Sequence, residues 1–96
     1  MELKGQTAFI TGSTRGIGLA IAKAFAKQGV HIILNGRRPV SETLIAEIKA
    51  LGVNCIGISG DISNSEEVKQ MVKQANEFAP VTILVNNAGI TNDKLL

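Results

Sequence analysis

An apolar tetrad, Thr7-Ala8-Phe9-Ile10, runs straight into Thr11-Gly12-Ser13-Thr14-Arg15-Gly16-Ile17-Gly18, and a helix-like stretch follows at once. A Gly-x-x-x-Gly-x-Gly spacing between a strand and a helix leaves few folds open. A diphosphate needs backbone N–H donors at close range and a helix N-terminus pointing at it. Gly12 permits a tight turn after the strand, and Gly16 lets backbone approach a ligand with no Cβ in the way. Gly18 lets the helix pack closely on the sheet. Ser13 and Thr14 can add hydroxyl donors. The spacing is neither the Gly-x-Gly-x-x-Gly fingerprint nor a P-loop, which needs Lys-Ser/Thr. Its setting marks it as a phosphate cradle of the dinucleotide-binding kind. The bland alternative, a glycine-rich turn without a ligand, loses weight between a buried strand and an amphipathic helix.

The rest of the chain can be placed around that loop. Four apolar runs alternate with three helical patterns. The runs are Thr7 to Ile10, Val30 to Leu34, Val53 to Ile58 and Val81 to Val85. They are continuous rather than alternating, as strands buried on both faces are. In the first helix Ile17, Ala20, Ile21, Ala24 and Phe25 form the expected apolar stripe, and Gly29 ends it. The second is expected near Ser41 to Leu51, with Leu44, Ile45, Ile48 and Leu51 inward and Gly52 as its stop. In the third, Ser63 and Glu66 are spaced as a capping box. Val68, Met71, Val72 and Ala75 make its stripe, and Pro80 follows it. Right-handed crossovers then predict an α/β fold with a parallel sheet ordered 3-2-1-4. Two helices lie on one face and the third on the other. Strand 4 becomes an edge while reading as a central strand, so the architecture looks incomplete, lacking C-terminal strands and helices.

Composition narrows the function classes. The 96 residues make one small domain at most, without an internal boundary. A net charge of +2, with Lys and Arg scattered, does not argue for nucleic acid or membrane partners. A single cysteine, Cys55, excludes an intrachain disulfide and suits a reduced setting. Met1 to Gly5 lacks the apolar core of a signal peptide, and no apolar stretch approaches the ~20 residues that span a bilayer. A cytoplasmic protein is the expectation.

Strand 2 ends in Asn35-Gly36-Arg37-Arg38. In folds of this kind a carboxylate about 20 residues past the loop holds the ribose 2′-hydroxyl of NAD. Here Arg37 and Arg38 can hold a 2′-phosphate instead, with Arg15 reaching it from the loop, so NADP is favoured over NAD. The competing reading makes both arginines solvated loop residues.

Taken together, these residues resemble the short-chain dehydrogenase/reductase family over the whole chain. Thr11 to Gly18 is similar to its Thr-Gly-x-x-x-Gly-x-Gly motif, and Asn86-Asn87-Ala88-Gly89 to its Asn-Asn-Ala-Gly motif. Asp61, with Ile62 beside it, sits where family members hydrogen-bond the adenine. The resemblance implies that residues 1–96 are the N-terminal, NAD(P)-binding portion of a Rossmann-type domain. It implies that Asn86 and Ala88 line the adenosine ribose through backbone, and that Gly89 keeps the strand end clear of the cofactor. Asn86 is also expected to tie strand 4 to its neighbour. The segment from Asn87 to Leu96 looks most like bacterial 3-oxoacyl-[acyl-carrier-protein] reductases of fatty-acid synthesis. It departs from them at Asn92, where a basic residue is usual, as does Thr82, where Asp is usual.

The implied activity is NADP-dependent reduction of a 3-oxoacyl thioester or related carbonyl. Family chemistry uses a tyrosine acid/base, a lysine, a serine and an asparagine, and this chain has no tyrosine. No catalytic residue is therefore assigned, and the 96-residue chain is expected to be inactive. His31 reads as a strand histidine and Cys55 as a small buried residue. The other readings are an NADP-binding module without chemistry and a structural fragment. The fragment would be completed by a complementing C-terminal half or by a second copy pairing along strand 4.

Overall fold

A computed structural model describes residues 2–88. The elements run β1 (Thr7–Ile10), α1 (Gly16–Lys27), β2 (His31–Gly36), α2 (Glu42–Lys49), β3 (Cys55–Ser59), α3 (Ser65–Phe78) and β4 (Ile83–Val85). The four strands form one sheet, β3-β2-β1-β4, with every pairing parallel. That is the order the sequence predicts. Fully apolar strands forced into parallel register need cover on both faces, and β1 and β2 receive it. Ala8, Ile10, Ile32, Leu34 and Cys55 pack with Ala22 and Ala26 of α1 and Ile48 of α2. Phe9, Ile33 and Ile58 pack with Met71 and Ala75 of α3 on the other face. So α1 and α2 share one face and α3 takes the other.

Several local expectations are corrected. The stripe of α1 is Gly18, Ala22 and Ala26, while Ile17 is 69% exposed. Ala20 and Ala24 are exposed too, and Ile21 and Phe25 flank the core. Almost every position of this helix is apolar, so helical spacing alone fits several registers. Close approach to the sheet selects the register that turns the smallest residues inward. In α3 the N-cap is Asn64, whose Oδ1 accepts from the N–H groups of Glu66 and Glu67 at 3.0 and 3.1 Å. Ser63 instead donates its N–H and hydroxyl to Asp61. Leu51 and Val72, expected inward, are both exposed. β4 is shorter than its apolar run, and Leu84 at its centre is 70% exposed. Gly29 and Gly52 follow their helices with φ of +86° and +100°, the left-handed region that favours glycine. No described helix is long and apolar enough to cross a membrane.

Candidate functional site: a cleft at the strand ends

The turn after β1 is held from several sides. Gly12, at φ +59°, donates its N–H to Asn35 Oδ1 at 3.0 Å, and its carbonyl accepts from Asn87 Nδ2 at 3.0 Å. The Ser13 N–H donates to the Asn35 carbonyl at 2.8 Å. The Ser13 hydroxyl donates to the Ile10 carbonyl at 2.7 Å and accepts from the Asn35 N–H at 2.9 Å. Ser13 is fully buried, so the expected hydroxyl donor is engaged inside the protein. Thr11 Oγ1 accepts from the Ala88 N–H at 3.0 Å and lies 3.3 Å from Asn86 Oδ1. That contact joins the segment after β4 to the end of β1, as expected of Asn86.

Helix α1 begins at Gly16 with Arg15 as its N-cap and no side-chain cap. Helices α2 and α3 are capped by Ser41 and Asn64. The first N–H groups of any helix lack intrahelical partners and carry the positive end of its dipole. Gly16 has φ +61°, and a Cβ built on it would meet nothing within 4 Å. An uncapped helix start behind an open glycine turn fits a diphosphate.

Beside this turn lies a cleft of about 1020 Å³. One wall is Gly12, Thr14 and Arg15; the second is Gly36 with Arg37 and Arg38; the third is Gly60, Asp61 and Ile62, with Ala88 nearby. Arg15, Arg37 and Arg38 are exposed, and among the described residues none of them forms an ion pair. Asp61 Oδ1 accepts from the Ser63 hydroxyl at 2.7 Å and the Ser63 N–H at 2.9 Å. These bonds, helped by the charge of Arg37, hold its carboxyl below the usual carboxylate range. The cleft thus offers cations on one side and a fixed carboxylate on the other.

Of the residues expected from sequence, Gly12, Thr14, Arg15, Arg37, Arg38, Asp61, Ile62 and Ala88 meet around this cleft. Gly16 and Ile17 form the first turn of α1 beside it. Gly18 lies behind the turn, where a Cβ would be 2.3 Å from the Gly12 carbonyl oxygen. Asn86 lines a separate apolar groove between β4 and α3. Gly89, and with it Asn92 and Lys94, lie outside the described residues. His31 is half-buried, and its Nδ1 accepts from the Asn54 N–H at 3.0 Å, a link between strand ends. Cys55 is buried, and burial pushes its thiol up to about 11 against the opposing charge of Lys49. A neutral thiol of that kind is a poor nucleophile. Sequence reading missed Asn35. Its only signal was a polar residue closing an apolar strand.

The chain matches the family model described as short chain dehydrogenase over residues 6–96. It is 42% identical over 94 residues to a 3-oxoacyl-[acyl-carrier-protein] reductase of Staphylococcus epidermidis, covering 95% of this chain and 38% of that protein. A 3-oxoacyl (acyl-carrier-protein) reductase from Agrobacterium tumefaciens, solved with NADP bound, superposes with a TM-score of 0.79 at 41% identity. That match covers 88% of this chain and 33% of the solved one. A 3-oxoacyl-[acyl-carrier protein] reductase from Brucella melitensis, in complex with NAD, gives 0.82 at 30% identity over 85% of this chain and 32% of that one. The chain spans less than two fifths of the length of these relatives, and it belongs to the short chain dehydrogenase family, whose members are NAD(P)-dependent oxidoreductases.

Proposed function

We propose, from this membership, that residues 1–96 are the cofactor-binding portion of a cytoplasmic reductase acting on a 3-oxoacyl thioester or related carbonyl, and that the cofactor is NADP(H). The observation that carries the cofactor reading is the cleft itself. It joins an uncapped helix start to three arginines that have no ion-pair partner among the described residues. The first turn of α1, from Gly16 to Gly18, holds the diphosphate. Arg37 and Arg38, with Arg15 and Thr14 opposite, hold the 2′-phosphate. Asp61 and Ile62 take the adenine, and Ala88, with Asn86 and Gly89, takes the adenosine ribose. Bound there, the cofactor supplies or accepts a hydride. The chain orients it, and its 96 residues contain no tyrosine to serve as the family's acid/base.

Fluorescence titration tests the cofactor choice. One charge-assisted hydrogen bond is worth roughly 1.5–3 kcal/mol. NADPH is therefore expected to bind at least about tenfold more tightly than NADH, with the preference abolished in Arg37→Glu. Equal affinities, or an unchanged preference in the variant, overturn the NADP reading. The 96-residue chain alone is expected to show no NADPH oxidation with an acetoacetyl thioester, and measurable turnover contradicts that.

A second reading is favoured by β4, where an apolar strand pairs with β1 alone among the described residues and leaves Leu84 exposed. In it the 96-residue chain associates along this edge, with a complementing segment or a second copy. A clean monomer in sedimentation velocity counts against it.

A further inference from the structure

We infer that Asn35 is a positioning residue for the dinucleotide site, a single buried carboxamide that sets the spacing between two walls of the cleft. The inference rests on the proposed cofactor reading. Asn35 is 2% exposed at the end of β2. Its Oδ1 accepts from the Gly12 N–H at 3.0 Å, in the turn that precedes α1. Its Nδ2 donates to the Ile58 carbonyl at 3.0 Å and lies 3.5 Å from the Gly60 carbonyl and 3.4 Å from Met71 Sδ. Ile58 lies in β3, and Gly60 leads directly into Asp61 and Ile62. One planar group thus ties the phosphate turn to the strand that carries the third wall. Its own backbone adds two bonds to Ser13, so the turn is fastened to β2 through both main chain and side chain.

The chemistry leaves little freedom at this position. The group must accept on one side and donate on the other, and the neutral carboxamide of Asn35 does both from one short planar group. Aspartate has the same shape but no donor, and it would aim a buried carboxylate oxygen at the Ile58 and Gly60 carbonyls. Leucine would leave the half-buried Gly12 N–H without its partner. A ligand that touches both walls depends on their spacing, whereas one that touches a single wall does not.

The test compares Asn35→Asp with the unaltered chain in NMR titrations of three probes. ADP-ribose spans both walls, adenosine touches only the Asp61 side, and inorganic pyrophosphate touches only the turn. For folded Asn35→Asp, ADP-ribose is expected to bind at least about tenfold more weakly, while the two short probes change by less than about twofold. Equal loss on all three probes, or no loss on any, overturns the inference. If the variant does not fold, amide exchange in the unaltered chain decides. The Gly12 amide is expected to exchange more slowly than the Gly16 amide before ligand is added, because its bond to Asn35 is already made. Equal exchange at the two glycines overturns the inference. Failure of the unaltered chain to bind ADP-ribose at all overturns instead the cofactor reading on which it rests.

Discussion

Gly18 stands where a methyl group has no room. A Cβ there would lie 2.3 Å from the Gly12 carbonyl oxygen and 2.9 Å from Ser13 Cα. In an unconstrained helix, replacing glycine by alanine gains about 1 kcal/mol. Overpacking costs typically about 1–3 kcal/mol, and the nearest atom here is the Gly12 backbone oxygen, which cannot swing aside, so the upper part of that range applies. The clash therefore wins. Gly18→Ala is expected to destabilise the chain by about 1–2 kcal/mol, read as a lower urea midpoint; an unchanged or higher midpoint contradicts this. The glycines and arginines of the cleft were legible in the sequence because each does something few other residues can, and Asp61 was singled out only through the family resemblance. Asn35 was not, because its partners are backbone groups of Gly12, Ile58 and Gly60, distant in the chain. Only the fold brings them within reach. Ser13 misled for the matching reason. A hydroxyl in a glycine loop looks free, yet the Ile10 carbonyl and the Asn35 N–H have already engaged it.

At the scale of elements, the strands were easier to read than the faces of the helices. β1 matches its apolar run at both ends, and the sheet order follows from handed crossovers between parallel strands. Helix α1 was misread because alanine and isoleucine occupy nearly all its sides, so periodicity carries little information there. What decides is contact distance to the sheet, a tertiary property. Helix α3 poses a local competition between two adjacent cap formers, Ser63 and Asn64. Asn64 wins because Ser63 closes a turn on Asp61 and thereby lends its donors to the cleft's carboxylate. The two roles separate experimentally. Asn64→Ala is expected to lower stability by about 1 kcal/mol through loss of the cap. Ser63→Ala should leave stability nearly unchanged and move the Asp61 titration upward toward its ordinary range. Equal loss of stability in the two variants would return the cap to Ser63.

At the scale of the whole molecule, the sheet order explains where a ligand can sit. In open parallel sheets the crevice lies outside the carboxyl ends of the strands, at the point where strand order reverses. Here the order reverses at β1, between β2 and β4, and the turn after β1 opens the cleft. The two apolar faces of β1 and β2 are covered, so the turn after β1 rises from a strand packed on both sides. β4 differs, with one strand neighbour among the described residues and an exposed Leu84 that lines the groove with Val72 and Asn86. The described residues thus include a charged cleft and, apart from it, an apolar groove. The most direct test of the account is to map amide shifts while NADPH is titrated into the 96-residue chain. Changes are expected to concentrate at Gly12 to Gly18, Gly36 to Arg38 and Gly60 to Ile62. Changes centred on Val68, Val72 and Leu84 of the apolar groove, or none at millimolar cofactor, would contradict it.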